Sequence, residues 1–176
     1  MKKQFIATTL IAIIGLSTIG GFAPVNIQNM QVSAATINPQ NNQAAVEAKA
    51  NQLIQTAKSL IGKATYSNTV YKPTYPYKFS CASFLMYIFE KNGVDLATYN
   101  EDYMMKQGTY VAKSQLQKGD LLFFDSRGGN IPNHVGMYIG DDKFIHSPQA
   151  GDVVKISSMA SGYHRRKFVT GRRIIK

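Results

Sequence analysis

Three residues, far apart in the chain, are of the types that nucleophilic catalysis needs: Cys81, His134 and His146. A thiolate is a strong nucleophile, and an imidazole can take the thiol proton near neutral pH. A second polar group that orients the imidazole completes a constellation for acyl transfer. Cys81 is the chain's single cysteine, in "YKFSCASFLMYIFEKNG", so no disulfide partner is expected. Three roles are open to it: a buried apolar filler, an intermolecular link or a nucleophile. Taken alone, filler is the commonest. For each histidine the bland role is a satisfied residue at a strand end. A zinc site from the three is conceivable, but no tight ligand pair supports it. No metal and no cofactor is expected.

The elements around these residues decide whether they can meet. Ser80 is a good N-cap, which puts Cys81 in the first turn of a helix ending near Lys91, before Asn92-Gly93. Peptide dipoles there favour a negative charge, so a depressed thiol pKa is expected. Cys81, Leu85 and Ile88 fall on one stripe, aimed at a sheet. His134 opens the strand "HVGMYIG" and His146 lies in the next, "KFIHS". A two-residue turn at Asp141-Asp142 would pair Met137 with His146 and send the histidines to opposite faces. A three-residue loop, Gly140 to Asp142, would pair Gly136 with His146 and put both on one face, about 7–8 Å apart as diagonal neighbours. The three-residue loop is expected, because Gly140 can supply unusual backbone angles. Gly136 would then leave space between the rings.

The rest of the pattern is helices first, strands after. "AAVEAKANQLIQTAKSLIG" has apolar residues at helical spacing, and a short helix is expected over Tyr99 to Lys106. The tyrosine- and proline-rich run from Lys63 to Phe79 reads as an ordered loop. Period-two strands are expected at 109–113, 120–125, 134–140, 143–147, 152–157 and 167–175. This is an α+β pattern, with the nucleophile helix packed on an antiparallel sheet.

The first residues speak to location. Lys2 and Lys3, the apolar run from Phe5 to Phe22 and the small residues "VSAA" have the form of a cleaved export signal, residues 1–35. Residues 36–44 are expected to be a disordered linker and 45–176 a catalytic domain. The formal charge of +10, less Lys2 and Lys3, leaves +8. A basic exported protein suits anionic wall polymers; location argues against nucleic acid. Arg165, Arg166, Lys167, Arg172 and Arg173 are candidates for such contacts, with a solvated basic face as the bland alternative. His164 is expected on the surface. A monomer is expected.

The segments "FSCASFLMYIFEKNGVDL", "GTYVAKSQLQKGDLLFF", "NHVGMYIGDDKFIHSPQAGDVVKIS" and "GYHRRKFVTGRRII" resemble, in that order, the NlpC/P60 family of papain-like cell-wall cysteine peptidases. The resemblance runs from about Ala50 to the C-terminus. It implies a papain-like fold and a triad of Cys81 as nucleophile, His134 as base and His146 as orienting residue. It also implies a tyrosine near the oxyanion, for which Tyr66 is the choice and Tyr71 the alternate. The family's usual Gly-Gly after that tyrosine is missing. Where the family reads Asp-Cys-Ser-Gly, this chain reads Ser80-Cys81-Ala82-Ser83, so its carboxylate for a free N-terminal ammonium is gone. Altered stem-peptide specificity is the expectation at Ser80, Ala82 and Ser83.

What the resemblance implies is a secreted peptidoglycan endopeptidase cutting stem peptides between γ-D-glutamate and a diamino acid. In that mechanism His134 holds the Cys81 thiolate as an ion pair. The alternatives are a papain-like amidase cutting before L-alanine, and a non-catalytic wall-binding or effector protein that keeps the fold.

Overall fold

The structure is a computed structural model and describes residues 39–176. The expected export signal at 1–35 lies outside them. The first helix, α1 (Pro39–Lys58), starts earlier than expected and takes in residues 39–44, where the polar composition points to a disordered linker. Pro39 stands at its first position, where a missing N–H costs nothing. α1 buries Leu53 and Ala57 against the next helix.

The tyrosine-rich stretch is partly strand. β1 (Ala64–Tyr66) and β2 (Tyr77–Phe79) pair in parallel, Ala64 opposite Tyr77. β2 leads into α2 (Cys81–Lys91), which buries Phe84, Leu85, Ile88 and Phe89. α3 (Glu101–Met104) is a single turn, capped by Asn100, whose side chain accepts from the N–H groups of Asp102 and Tyr103.

Six antiparallel strands form the sheet that carries the histidines: β3 (Thr109–Val111), β4 (Leu121–Phe124), β5 (His134–Gly140), β6 (Lys143–His146), β7 (Lys155–Ser158) and β8 (Phe168–Arg173). Their order is β3-β8-β4-β5-β6-β7. Alternation sorts the sheet's side chains. Leu121, Phe123, Val135, Met137 and Ile145 join the core with α1 and α2. Leu122, Phe124 and Phe144 face the other way and pack with Met159 and Phe168. A short helix that the sequence did not signal, α4 (Gly162–Lys167), lies on the chain between β7 and β8.

The β5–β6 hairpin reaches the expected pairing by an unexpected route. The turn is the two-residue one, Asp141 and Asp142, with φ of 53° and 51°. Such a turn pairs Gly140 with Lys143, but a bulge between Tyr138 and Gly140 shifts the register, so Tyr138 opposes Phe144 and Met137 opposes Ile145. Gly140 sits at the bulge with φ 96°, a conformation few side chains tolerate. One step further along, Gly136 falls opposite His146. The space at Gly136 is not left between the imidazoles: the Phe144 ring fills it, with a carbon 2.6 Å from where a Cβ would stand.

Candidate active site

Ser80 fixes the start of α2. Its hydroxyl accepts from the Ser83 N–H at 3.2 Å, and the Ser83 hydroxyl accepts from the Ser80 N–H at 2.8 Å. This reciprocal cap satisfies two backbone donors and holds Cys81 in the first turn. Both serines also line a groove of about 540 Å³, with Ser67, Tyr71 and Tyr99 among its walls. Ala82 is fully buried in the core, and its backbone N–H reaches the Cys81 sulfur.

The Cys81 thiol is 2% exposed and donates to Glu101 Oε1 at 2.9 Å. The expected depressed thiol pKa is not found. Burial raises it most, the nearby Glu101 carboxylate adds to this, and the backbone N–H groups of Val135 and Ala82 act in the opposite direction without offsetting it. The helix-end effect is present, but desolvation and a like charge are larger. The thiol is protonated in this arrangement, and the expected thiolate–imidazolium pair is not its resting form.

The backbone N–H of Val135 reaches the sulfur, so the start of β5 lies beside Cys81. The thiol's side-chain partner is Glu101, while the neighbouring His134 ring packs on Phe124, 5.9 Å between centroids, and on His146. His134 Nε2 lies 2.7 Å from His146 Nδ1. His146 Nε2 lies 2.9 Å from Ser157 Oγ on β7. One proton arrangement serves this chain with a basic His134: Nε2–H of His134 donates to His146, Nε2–H of His146 donates to Ser157, and His134 Nδ1 keeps its lone pair. Burial pushes His134 down to about 4 and, with the neighbouring histidines, His146 down to about 2, so both are neutral at neutral pH. Ser147, next to His146, donates to the Phe79 carbonyl at 3.1 Å, fastening β6 to the strand that precedes Cys81.

Tyr66 ends β1, within electrostatic reach of Cys81 and Glu101. Burial raises its hydroxyl pKa first, then the charges of Cys81 and Glu101. Tyr71 instead packs on Phe79, with ring centroids 5.9 Å apart, and feels Glu90 and Tyr87.

Three contributors escaped the sequence reading. Glu101 and Ser157 carry no motif. His164 is not a plain surface residue: half-buried in α4, its ring meets Phe144 at 4.9 Å and His146 at 5.6 Å. With His134, His146 and Tyr163 it lines a cavity of about 240 Å³. Of the basic cluster, Arg173 is committed elsewhere, donating from Nε and Nη2 to the buried Asp120 carboxylate at 2.8 Å each. Among the described residues no group of three or more His, Cys, Asp or Glu side chains is arranged to hold a metal ion.

Comparison with known proteins agrees with this architecture. The model of the NlpC/P60 family matches residues 62–173. A gamma-D-glutamyl-L-lysine dipeptidyl-peptidase of Bacillus cereus is 32% identical over 127 residues, covering 72% of this chain and 37% of the relative. The murein DD-endopeptidase MepH of Escherichia coli is 35% identical over 100 residues, covering 55% and 36%. The crystal structure of an NlpC/P60 family protein from Bacillus cereus superposes with a TM-score of 0.65 at 31% identity, over 72% of this chain and 40% of that one. The chain thus spans well under half the length of these curated relatives.

Proposed function

The chain belongs to the NlpC/P60 family, with its papain-like α+β fold, and from that premise we propose that it is a cysteine peptidase of peptidoglycan. The names of its relatives support a wall-peptide substrate: one is a murein endopeptidase, another a γ-D-glutamyl-L-lysine dipeptidyl-peptidase. The observation that carries the chemistry is the 2.7 Å contact from His134 Nε2 to His146 Nδ1: with the His134 proton assigned to Nε2, its Nδ1 lone pair is available as a base.

The steps follow from the groups present. Cys81 passes its proton to His134 Nδ1 and attacks the carbonyl of a stem-peptide amide, with the γ-D-glutamyl bond to the diamino acid as our assignment. Backbone N–H groups at the start of α2, with Tyr66, stabilise the oxyanion. His134 then protonates the leaving amine, and later activates water to hydrolyse the thioester. His146 and Ser157 hold the ring of His134. We assign the protein to the cell exterior, where its substrate is, acting as a monomer, with the basic surface available to anionic wall polymers.

A second reading has one specific support: the thiol is covered and bonded to a carboxylate, as a non-catalytic wall-binding relative would tolerate. A digest separates the two. The protein and its Cys81→Ala variant are incubated with purified peptidoglycan and defined muropeptides, and the products are identified by mass. Fragments cut between γ-D-glutamate and the diamino acid, from the parent only, are expected. Fragments cut before L-alanine would replace the endopeptidase by an amidase. Fragments from neither protein, both folded, would leave the binding reading.

A further inference from the structure

The reacting thiol is bonded to a carboxylate that, among the described residues, is paired with no cation. Glu101 accepts from Cys81 Sγ at 2.9 Å, and it takes part in none of the ion pairs among the described residues. This is unusual in a chain with twice as many basic as acidic residues. It is also unhelpful to a bare enzyme, since a negative neighbour opposes the thiolate that must form. The carboxylate stands at the first residue of α3, half-buried, where the chain leaves the groove wall of Ala97, Thr98 and Tyr99. The hydroxyls of Ser80 and Ser83 on the groove's other side are uncharged and engaged in capping α2.

We propose that Glu101 is a specificity-determining residue that recognises an ammonium group carried by the substrate beside the scissile bond, and that this pairing frees Cys81 for attack. The inference rests on the peptidase reading. With the ammonium bound, the carboxylate exchanges its hydrogen bond from the thiol for charge-assisted bonds from the cation. The S–H proton then goes to His134 Nδ1, the sulfur becomes a thiolate, and the carboxylate beside it is neutralised by the ligand. A substrate without the positive charge leaves the thiol bonded to Glu101 and poorly reactive. Two groups of a stem peptide could supply the ammonium: its free α-amine and the side-chain amine of its diamino acid.

The test uses one stem peptide in three forms: both amines free, the α-amine acetylated, or the side-chain amine acetylated. Dissociation constants are measured by calorimetry on Cys81→Ala, with and without Glu101→Gln, so that recognition is read without turnover. Hydrolysis is measured in parallel on the parent, Glu101→Gln and the charge-keeping Glu101→Asp. Acetylating one of the two amines should weaken binding to Cys81→Ala by about tenfold or more, as expected for a charge-assisted bond, and the amine that matters names the source. With Glu101→Gln the loss should vanish, and Glu101→Asp should retain part of the discrimination. Discrimination that survives Glu101→Gln, or equal binding of all three forms to Cys81→Ala, overturns the inference. If the parent hydrolyses nothing yet binding discriminates through Glu101, the peptidase reading falls and the recognition role stands. If it hydrolyses all three forms equally, the reverse holds.

Discussion

Gly136→Ala places a methyl group between the two histidine-bearing strands, and its consequences can be worked out from the contacts there. The new Cβ would stand 2.6 Å from a ring carbon of Phe144 and 3.1 Å from the Ile145 carbonyl oxygen. Carbon atoms in contact sit about 3.5–4.0 Å apart, so the Phe144 ring must retreat by about 1 Å. It has little room to do so. Phe144 is fully buried, 4.9 Å from the Phe124 ring centroid and 4.6 Å from that of His146. Overpacking of this kind costs about 1–3 kcal/mol. In a domain of this size each kcal/mol lowers Tm by roughly 2–5 °C, so a fall of about 2–15 °C is expected by circular dichroism. The displaced ring pushes on His146, and a misplacement near 1 Å in a catalytic constellation can cost about a hundredfold in rate. We therefore expect kcat on a stem peptide to drop by at least about tenfold, with KM little changed. Adding Phe144→Leu makes room for the methyl, so the double variant should be more stable than the two single losses added together. An unchanged Tm and kcat for Gly136→Ala would refute the argument that this glycine seats the ring which supports His146.

Ser157→Ala removes the partner of His146 Nε2; kcat should fall several-fold with KM unchanged, and equal kinetics would deny Ser157 a place in the histidine chain. Ser80→Ala removes the acceptor for the Ser83 N–H and loosens the first turn of α2. It should cost about 1 kcal/mol in urea unfolding, whereas Ser80→Asp, also a capping residue, should cost less; the opposite order would contradict the cap. The buried histidines make stability depend on pH. Both have native pKa values below the ordinary 6.5, His134 near 4 and His146 near 2. The unfolded chain therefore takes up protons first as pH falls, and the stability they contribute is complete above about pH 6.5 and is lost below it. Each can contribute up to about 1.4 kcal/mol per pH unit, for His134 down to about pH 4. A Tm that stays flat from pH 7 to pH 5 would show that these rings are not buried neutral.

Local patterns in the sequence carried the parts of the fold that depend on them. The alternation in "HVGMYIG" marks β5 at its observed limits, His134–Gly140, because one face meets α2 and the other a second apolar layer. Ser80 announces the start of α2 because capping involves only the next three residues. The short elements left no comparable mark. β1 and β2 have three residues each, too few to show a period, and α4 ("GYHRRK") has no apolar stripe. In the hairpin two local features offset one another: the turn is one residue shorter than Gly140 suggests, and the bulge beside Gly140 restores the register in which Met137 opposes Ile145.

The candidate site divides along the same line. His134 and His146 could be paired by register alone, and their contact at 2.7 Å follows from it. The state of the thiol could not be anticipated. Its helix position argues for a lowered pKa, but burial and Glu101, twenty positions along the chain, act through tertiary structure. Ser157 is likewise brought to His146 only by the pairing of β6 with β7. A choice between Tyr66 and Tyr71 also needed the fold: Tyr66 ends β1 and feels Cys81 and Glu101, whereas Tyr71 packs on Phe79.

The central claim is that Cys81 forms a covalent acyl intermediate with a stem peptide. The most direct measurement is acid-quench mass spectrometry of the protein mixed with a stem peptide under turnover, followed by peptide mapping. The account predicts that the Cys81 peptide gains the mass of the acyl fragment on the N-terminal side of the cut bond, with no adduct and no cleavage in Cys81→Ala. Cleavage that persists in Cys81→Ala, or an adduct on any other residue, would contradict it.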